Sequence, residues 1–435
     1  MSGAVRDPID DRYVPGHGDR RYSVRHYGLD LTYAPESNRL SGTAALSATA
    51  HTKLDSFVLD LASLRVSKVV VDGKRATHTH KQGHVTVKPK SAIRDGKEFE
   101  VVVTYSGSPG PMRGLDGEAG WEELEDGAIV ASQPHGAPSW YPCNDRPSDK
   151  ASYRIDLSVP TGYVAVANGV PRTPQRGSGT LTYGFDQDEP MATYLATVHV
   201  GRLVTQDDTQ DVTLKVVSSA KHVDSAHEAL RRQPEMIAFF ERVFGPYPFR
   251  AGYTTVVTDD ALEIPLEAQA LSIFGSNFMT DRWDHQRLIA HELAHQWFGN
   301  SLTLTTWNDI WLHEGFACYS EWLWSEESGG ETAQDWAERH HRRLSRMRKD
   351  LVLADPGPDK MFDDRVYKRG ALTLHALRLA VGDDTFFDVL RTWTDQHRHG
   401  SVTSADFEAV VTEVAGADAA AILHPWLRET SLPSL

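Results

Sequence analysis

The chain has 435 residues, 40% of them hydrophobic and 24% charged, a globular composition long enough for about two or three domains. A formal net charge of -15 with no offsetting basic stretch argues against nucleic acid or another polyanion as a partner. No stretch approaches the roughly 20 apolar residues of a membrane span, and Met1–Val24 lacks the apolar run of a signal peptide. The expected setting is therefore cytoplasmic with no membrane partner, although a secreted chain trimmed of its leader would read the same.

Residues 1–21 read as an N-terminal extension. Residues 22–205 read as an antiparallel β domain. Tyr27–Tyr33 alternates with a period of two, Leu40–Ala50 does so loosely, and Lys68–Val71 is a valine run ended by the turn Asp72-Gly73. Phe99–Tyr105, Tyr153–Val159, Tyr163–Ala167 and Tyr194–Val200 are also strand-like. Short runs between turn signals predict a β-sandwich or saddle of about a dozen strands.

The period changes after Gly201, and residues 206–435 read as an α+β domain. Val223–Phe244 has helical spacing and stops at Gly245-Pro246-Tyr247-Pro248, while Tyr253–Thr258 and Leu271–Phe274 are strand-like. Helices are expected over 283–298, 312–328, 331–350, 364–381, 384–397 and 404–415. Cys143 and Cys318 are the two cysteines, too few for a cysteine metal site, and nothing demands that they pair.

The helix over 283–298 holds His291-Glu292-Leu293-Ala294-His295. Two histidines four residues apart share one helix face and reach one ion of zinc's size. The bland alternative is an amphipathic helix with a polar surface. Against it, the motif is embedded in Leu288, Ile289, Ala290, Leu293, Ala294, Trp297 and Phe298, so its polar groups enter a buried region and need partners. Glu314, nineteen residues after His295, supplies a carboxylate third ligand and leaves a fourth position open for water. One Zn2+ per chain on His291, His295 and Glu314 lowers the pKa of a bound water toward about 7. Glu292 is then the base that takes the proton and passes it to a leaving amine. Glu321 lies seven residues after Glu314 on the same helix face, where it either orients a ligand histidine or is a solvated surface glutamate.

His291-Glu292-Leu293-Ala294-His295 followed by Trp311-Leu312-His313-Glu314-Gly315-Phe316-Ala317 resembles the aminopeptidase N family of gluzincin zinc peptidases. The resemblance extends to Trp297-Phe298-Gly299-Asn300, Trp307-Asn308-Asp309, Phe244-Gly245-Pro246-Tyr247-Pro248 and Pro142-Cys143-Asn144-Asp145-Arg146-Pro147. It covers about Tyr22 to Pro433 and implies a saddle-like β domain followed by a thermolysin-like, mainly helical catalytic domain. The large C-terminal helical domain of longer members is missing, which implies a more open cleft.

By the same resemblance, Tyr367-Lys368-Arg369-Gly370-Ala371 matches a Tyr-x-Lys-Gly-Ala segment whose tyrosine stabilises the oxyanion, with arginine at the lysine position. Without it Tyr367 reads as a core tyrosine. Ile264-Pro265-Leu266-Glu267-Ala268-Gln269 matches a Gly-x-Met-Glu-Asn loop whose glutamate binds the substrate's α-amine. Its glycine, methionine and asparagine are replaced here, and Glu263 is a rival in a shifted register. Ser132-Gln133-Pro134-His135 resembles a segment that lends a further contact to the substrate N-terminus, through Gln133.

The implied activity is a zinc aminopeptidase acting on peptides. A zinc endopeptidase and a non-catalytic zinc-stabilised binding protein are the alternatives. The sequence leaves the preferred N-terminal residue, the physiological substrate and the oligomeric state open.

Overall fold

The computed structural model describes residues 11–435 apart from 116, 210 and 211. Residues 1–10 of the expected extension lie outside the described residues. The chain divides into two compact units, one formed by residues up to Ala167 with Pro171–Gly201, the other by Asn168–Val170 with Arg202–Leu435.

The first unit is built of strands. Its eight-stranded sheet contains Tyr22–Ala34, Arg39–Ala50, Glu98–Gly107, Ala151–Pro160 and Thr180–Met191 at its centre. A five-stranded sheet includes Gly117–Leu124, Gly127–Ala131 and Val198–Gly201, and a three-stranded sheet is made of Phe57–Asp60, Thr77–Lys81 and His84–Lys88. Tyr22–Ala34 shows why the alternation predicts a strand. Tyr22 and Val24 are buried, as are Tyr27, Leu29, Leu31 and Tyr33. A register shift between Val24 and His26 puts both odd and even positions on the inner face.

The antiparallel expectation fails where Tyr22–Ala34 runs parallel to Ala151–Pro160. Parallel neighbours need a long crossover, and the residues between these strands, which include further strands of the same sheet, supply it. The pairing aligns Tyr27 with Tyr153, whose rings stack with centroids 4.8 Å apart. Tyr194–Leu195 belongs to a 3-10 turn instead of a strand, and the strand begins at Val198.

The second unit opens with a mixed sheet. Thr213–Ser219, Tyr253–Thr258 and Leu271–Gly275 run parallel, and the short edge strand Leu266–Ala268 lies antiparallel to the last. The helices are α1 (Val223–Leu230), α2 (Gln233–Phe244), α3 (Trp283–Ala294), α4 (Trp311–Glu327), α5 (Ala333–Leu344), α6 (Asp364–Val381), α7 (Asp383–Gln396), α8 (Ser404–Ala415) and α9 (Ala417–Arg428). Three differences from the sequence reading stand out. The helix expected over Val223–Phe244 breaks into α1 and α2, α5 stops at Leu344 where Met347 is left exposed, and α9 lies beyond the last expected helix. Phe240, Phe244, Trp297, Phe298, Trp311, Phe316, Trp393 and Phe407 fill the core beneath α3 and α4.

Two glycines let α4 and α6 approach closely. A Cβ on Gly315 of α4 would lie 2.8 Å from the Cα of Gly370 on α6, and one on Gly370 would lie 2.6 Å from the Cα of Gly315. Only bare backbone fits there, so α6 crosses directly beside Glu314. No helix among the described residues is long and apolar enough to cross a membrane.

Candidate active site

The second half of α3 is buried from Ile289 to Ala294, with His295 at its C-cap in helical geometry (φ -57°, ψ -22°). His291 and His295 therefore lie one turn apart on the same face, their rings edge to face with centroids 4.8 Å apart and planes at 78°. Glu314, in the first turn of α4, points its Oε2 between them, 3.3 Å from His291 Nε2 and 3.6 Å from His295 Nε2.

These three side chains suit a small divalent ion. Donors bound at about 2.1 Å in a tetrahedron stand roughly 3.4 Å apart, close to the separations seen. The other ring nitrogens are already committed: His291 Nδ1 donates to Glu321 Oε1 at 2.8 Å and His295 Nδ1 to the Phe298 carbonyl at 2.9 Å. Each ring thus directs Nε2 toward the centre, the tautomer that metal ligation needs.

The electrostatics say the same. Burial opposes charge on His291, but Glu314 and Glu321 outweigh it and push the ring up to about 9. Burial likewise opposes charge on His295, which Glu267 and Glu314 push up to about 10. Burial raises Glu314, yet the two histidines hold it well below the usual carboxylate range. Without an ion, protons occupy the positive place that these groups enclose.

Glu292 is 4% exposed. Burial, reinforced by Glu267 and Glu314, pushes its carboxyl up to about 8 despite both histidines. Glu267, on the edge strand, is also buried, with ligand-type atoms of Glu267, Glu292 and His295 all within 4.8 Å of one another. Burial and then Glu314 raise its carboxyl, against the pull of His295. The rival Glu263 is exposed in the preceding loop. Tyr367, in the first turn of α6, stacks on the His291 ring at 6.1 Å. Burial raises its phenol well above the ordinary value, as do Glu314, Glu267 and Glu292, so the hydroxyl keeps its proton and stays a donor.

Five of the expected site residues besides Tyr367 thus converge: His291, His295, Glu314, Glu292 and Glu267. Gln133 lies in the first unit, half-buried in the turn that follows Gly127–Ala131. Glu321 is 3% exposed, so the solvated alternative for it is excluded. Both cysteines are buried and unpaired.

Sequence reading passed over the groups that hold the constellation. Arg287 Nη1 donates to Glu321 Oε2 at 3.0 Å, one turn before His291 on α3, a spacing that could have suggested it. Gln296 and Asn300, fully buried, both donate to the Ala268 carbonyl, at 3.2 and 2.9 Å, while Gln296 Oε1 accepts from Ala270 N at 2.8 Å. They tie the Glu267 strand to the end of α3. Their signal was polarity inside an apolar run.

The family model described as the peptidase M1 N-terminal domain matches residues 23–195, and that of the peptidase family M1 domain matches 228–426. Leucyl aminopeptidase of Saccharolobus solfataricus is 26% identical over 94% of this chain, and Aminopeptidase M1 of Arabidopsis thaliana 27% identical over 72%. The chain spans 54% and 38% of those relatives' lengths. An M1 zinc metallopeptidase from Deinococcus radiodurans superposes with a TM-score of 0.90 at 32% identity, covering 98% of both chains. A variant of that enzyme, solved with a Tyr-Ser-Ala substrate, matches equally well. Matched along nearly its whole length, in both its strand-built and its helical unit, this chain belongs to peptidase family M1.

Proposed function

We propose that the chain is a zinc aminopeptidase that removes N-terminal residues from peptides, with its chemistry in the 206–435 domain and the 22–205 β domain assisting. The observation that carries the exopeptidase reading is Glu267, a buried carboxylate grouped with Glu292 and His295. A fixed anion beside the reaction centre selects a substrate whose scissile bond lies next to a protonated amine.

His291, His295 and Glu314 hold the ion. Bound there, zinc supplies a Lewis acid that acidifies water and polarises the scissile carbonyl. Glu292 takes the proton of the attacking water on its carboxylate and returns it to the leaving amine. The Tyr367 hydroxyl donates to the oxygen that gains charge in the tetrahedral transition state. Glu267 accepts from the substrate's α-ammonium, and Gln133 is assigned a further contact to that amine on the resemblance alone. Glu321 and Arg287 keep the His291 ring in its ligating orientation.

The deciding experiment compares a free-amine peptide with its N-acetylated twin on the zinc-loaded protein. Cleavage of the free-amine peptide alone, lost in Glu267→Gln, is expected. Equal cleavage of the two peptides replaces the reading with an endopeptidase, and no turnover on a broad peptide panel replaces it with a binding protein.

A further inference from the structure

Two residues past Tyr367, Arg369 faces the other side of α6, because two helical steps turn the chain by about 200°. It is 4% exposed, and its guanidinium donates to six main-chain carbonyls. Nε reaches Trp426 O at 2.9 Å, and Nη1 reaches Leu351 O at 3.2 Å and Thr430 O at 3.3 Å. Nη2 serves Pro425 O at 3.1 Å, Glu429 O at 2.5 Å and Ser431 O at 3.0 Å. Pro425 and Trp426 lie in the last turn of α9, whose carbonyls have no partner within the helix and carry the negative end of its dipole. A buried guanidinium answers both needs at once.

The opposite constraint lies one residue on. Gly370 meets the backbone of Gly315 next to Glu314, so α6 is pressed against the ligand-bearing helix on one side and tied to residues 425–431 on the other. Sliding or rotating α6 breaks one contact or the other. The group whose position depends on this is Tyr367, with its ring against His291.

We propose that Arg369 is a positioning residue: through the carbonyls of Pro425–Ser431 it holds α6 in the register that presents the Tyr367 hydroxyl to the reaction centre. The proposal rests on the role given to Tyr367 above. Lysine, which the resembled Tyr-x-Lys-Gly-Ala segment carries at this position, has three donors on a flexible stem against the fixed fork of five, so in this chain it cannot serve the six carbonyls that Arg369 holds.

The test is a double-mutant cycle on the zinc-loaded protein with aminoacyl arylamides, using Tyr367→Phe and Arg369→Lys. Because a misplacement of about 1 Å can reduce a rate on the order of 100-fold, Arg369→Lys is expected to lower kcat by about 10- to 100-fold. KM and zinc content stay within about two-fold, as befits loss of a contact made in the transition state. In the Tyr367→Phe background the same substitution lowers kcat by less than about three-fold, because the group it positions is already gone. A purely structural role would instead lower kcat by the same factor in both backgrounds, and that result overturns the proposal while leaving the Tyr367 assignment intact. An unchanged kcat in Arg369→Lys overturns it too. An unchanged kcat in Tyr367→Phe overturns the tyrosine assignment and this proposal together. Should Arg369→Lys fail to fold, removal of residues 429–435 deletes three of the six acceptors without touching α6. It carries the same expectation of non-additive loss, and wild-type kcat in the shortened chain overturns the proposal.

Discussion

Replacing Glu321 by Gln tests whether the outer partner of His291 governs metal affinity. The carboxylate is buried at 3% exposure, with Oε1 2.8 Å from His291 Nδ1 and Oε2 3.0 Å from Arg287 Nη1. Burial alone would raise its carboxyl, but Lys368, the His291 bond and Arg287 outweigh burial and hold it well below the usual carboxylate range. It is therefore an anion at every working pH, and it makes the imidazole a stronger donor to the ion. Glutamine keeps the shape and offers a carbonyl to Nδ1–H, so ring orientation survives while the charge is lost. Removal of such outer partners weakens metal binding by about 10- to 100-fold, or about 1.4–2.7 kcal/mol. Loss of the charge also leaves Arg287 without its anion, which places the effect toward the upper part of that range. Competition with a fluorescent zinc chelator measures the affinity directly. An affinity within two-fold of wild type in a folded Glu321→Gln protein would show that the hydrogen bond is incidental and refute the reasoning.

Glu292→Gln should retain zinc stoichiometry and lose about 100- to 10,000-fold in kcat, the usual contribution of a positioned acid–base group; a loss below ten-fold removes the assignment. Zinc uptake by the apo protein at pH 7.5 should release about one to two protons, because His291 and His295 are pushed up to about 9 and about 10 without the ion and must shed their Nε2 protons to ligate. Titration in dilute buffer with a pH indicator reads this, and release of less than half a proton contradicts it. In the first unit, burial pulls the His199 ring down to about 3, so the folded state holds it neutral. The unfolded chain binds that proton from about pH 6.5 downward, so stability is full above 6.5 and falls as pH drops toward 3, by about 2 kcal/mol at pH 5. Urea unfolding at pH 5 and 7.5 should show a smaller difference in His199→Gln; the same difference as wild type refutes it.

The amino-acid sequence by itself determined the parts of this protein that are local. His291 and His295 share a face because four residues make one helical turn, and that holds wherever the helix lies. Glu292 follows from the same register. The strand-built first unit was legible in alternation, and the helical second unit in the change of period. Glu314 came from the need for a third, carboxylate ligand, nineteen residues after His295, whereas Tyr367 and Glu267 came from likeness to a known family, since no spacing rule places residues of α6 and an edge strand around one point.

Only the tertiary structure decided how those elements meet. Glu321 was ambiguous in sequence because a helix face does not reveal what it touches; the packing of α4 against α3 buried it against His291 and Arg287. Glu263 and Glu267 could not be separated until the edge strand paired with Leu271–Gly275 and was pinned by Gln296 and Asn300. The parallel pairing of Tyr22–Ala34 with Ala151–Pro160 is likewise a property of the returning chain, invisible to alternation, which is the same in either direction. The hold of Arg369 on residues 425–431 joins parts of the chain nearly 60 positions apart, and no local pattern encodes it. Periodicity reports what one element buries, whereas the identity of the partner depends on loop closure and packing over the whole unit.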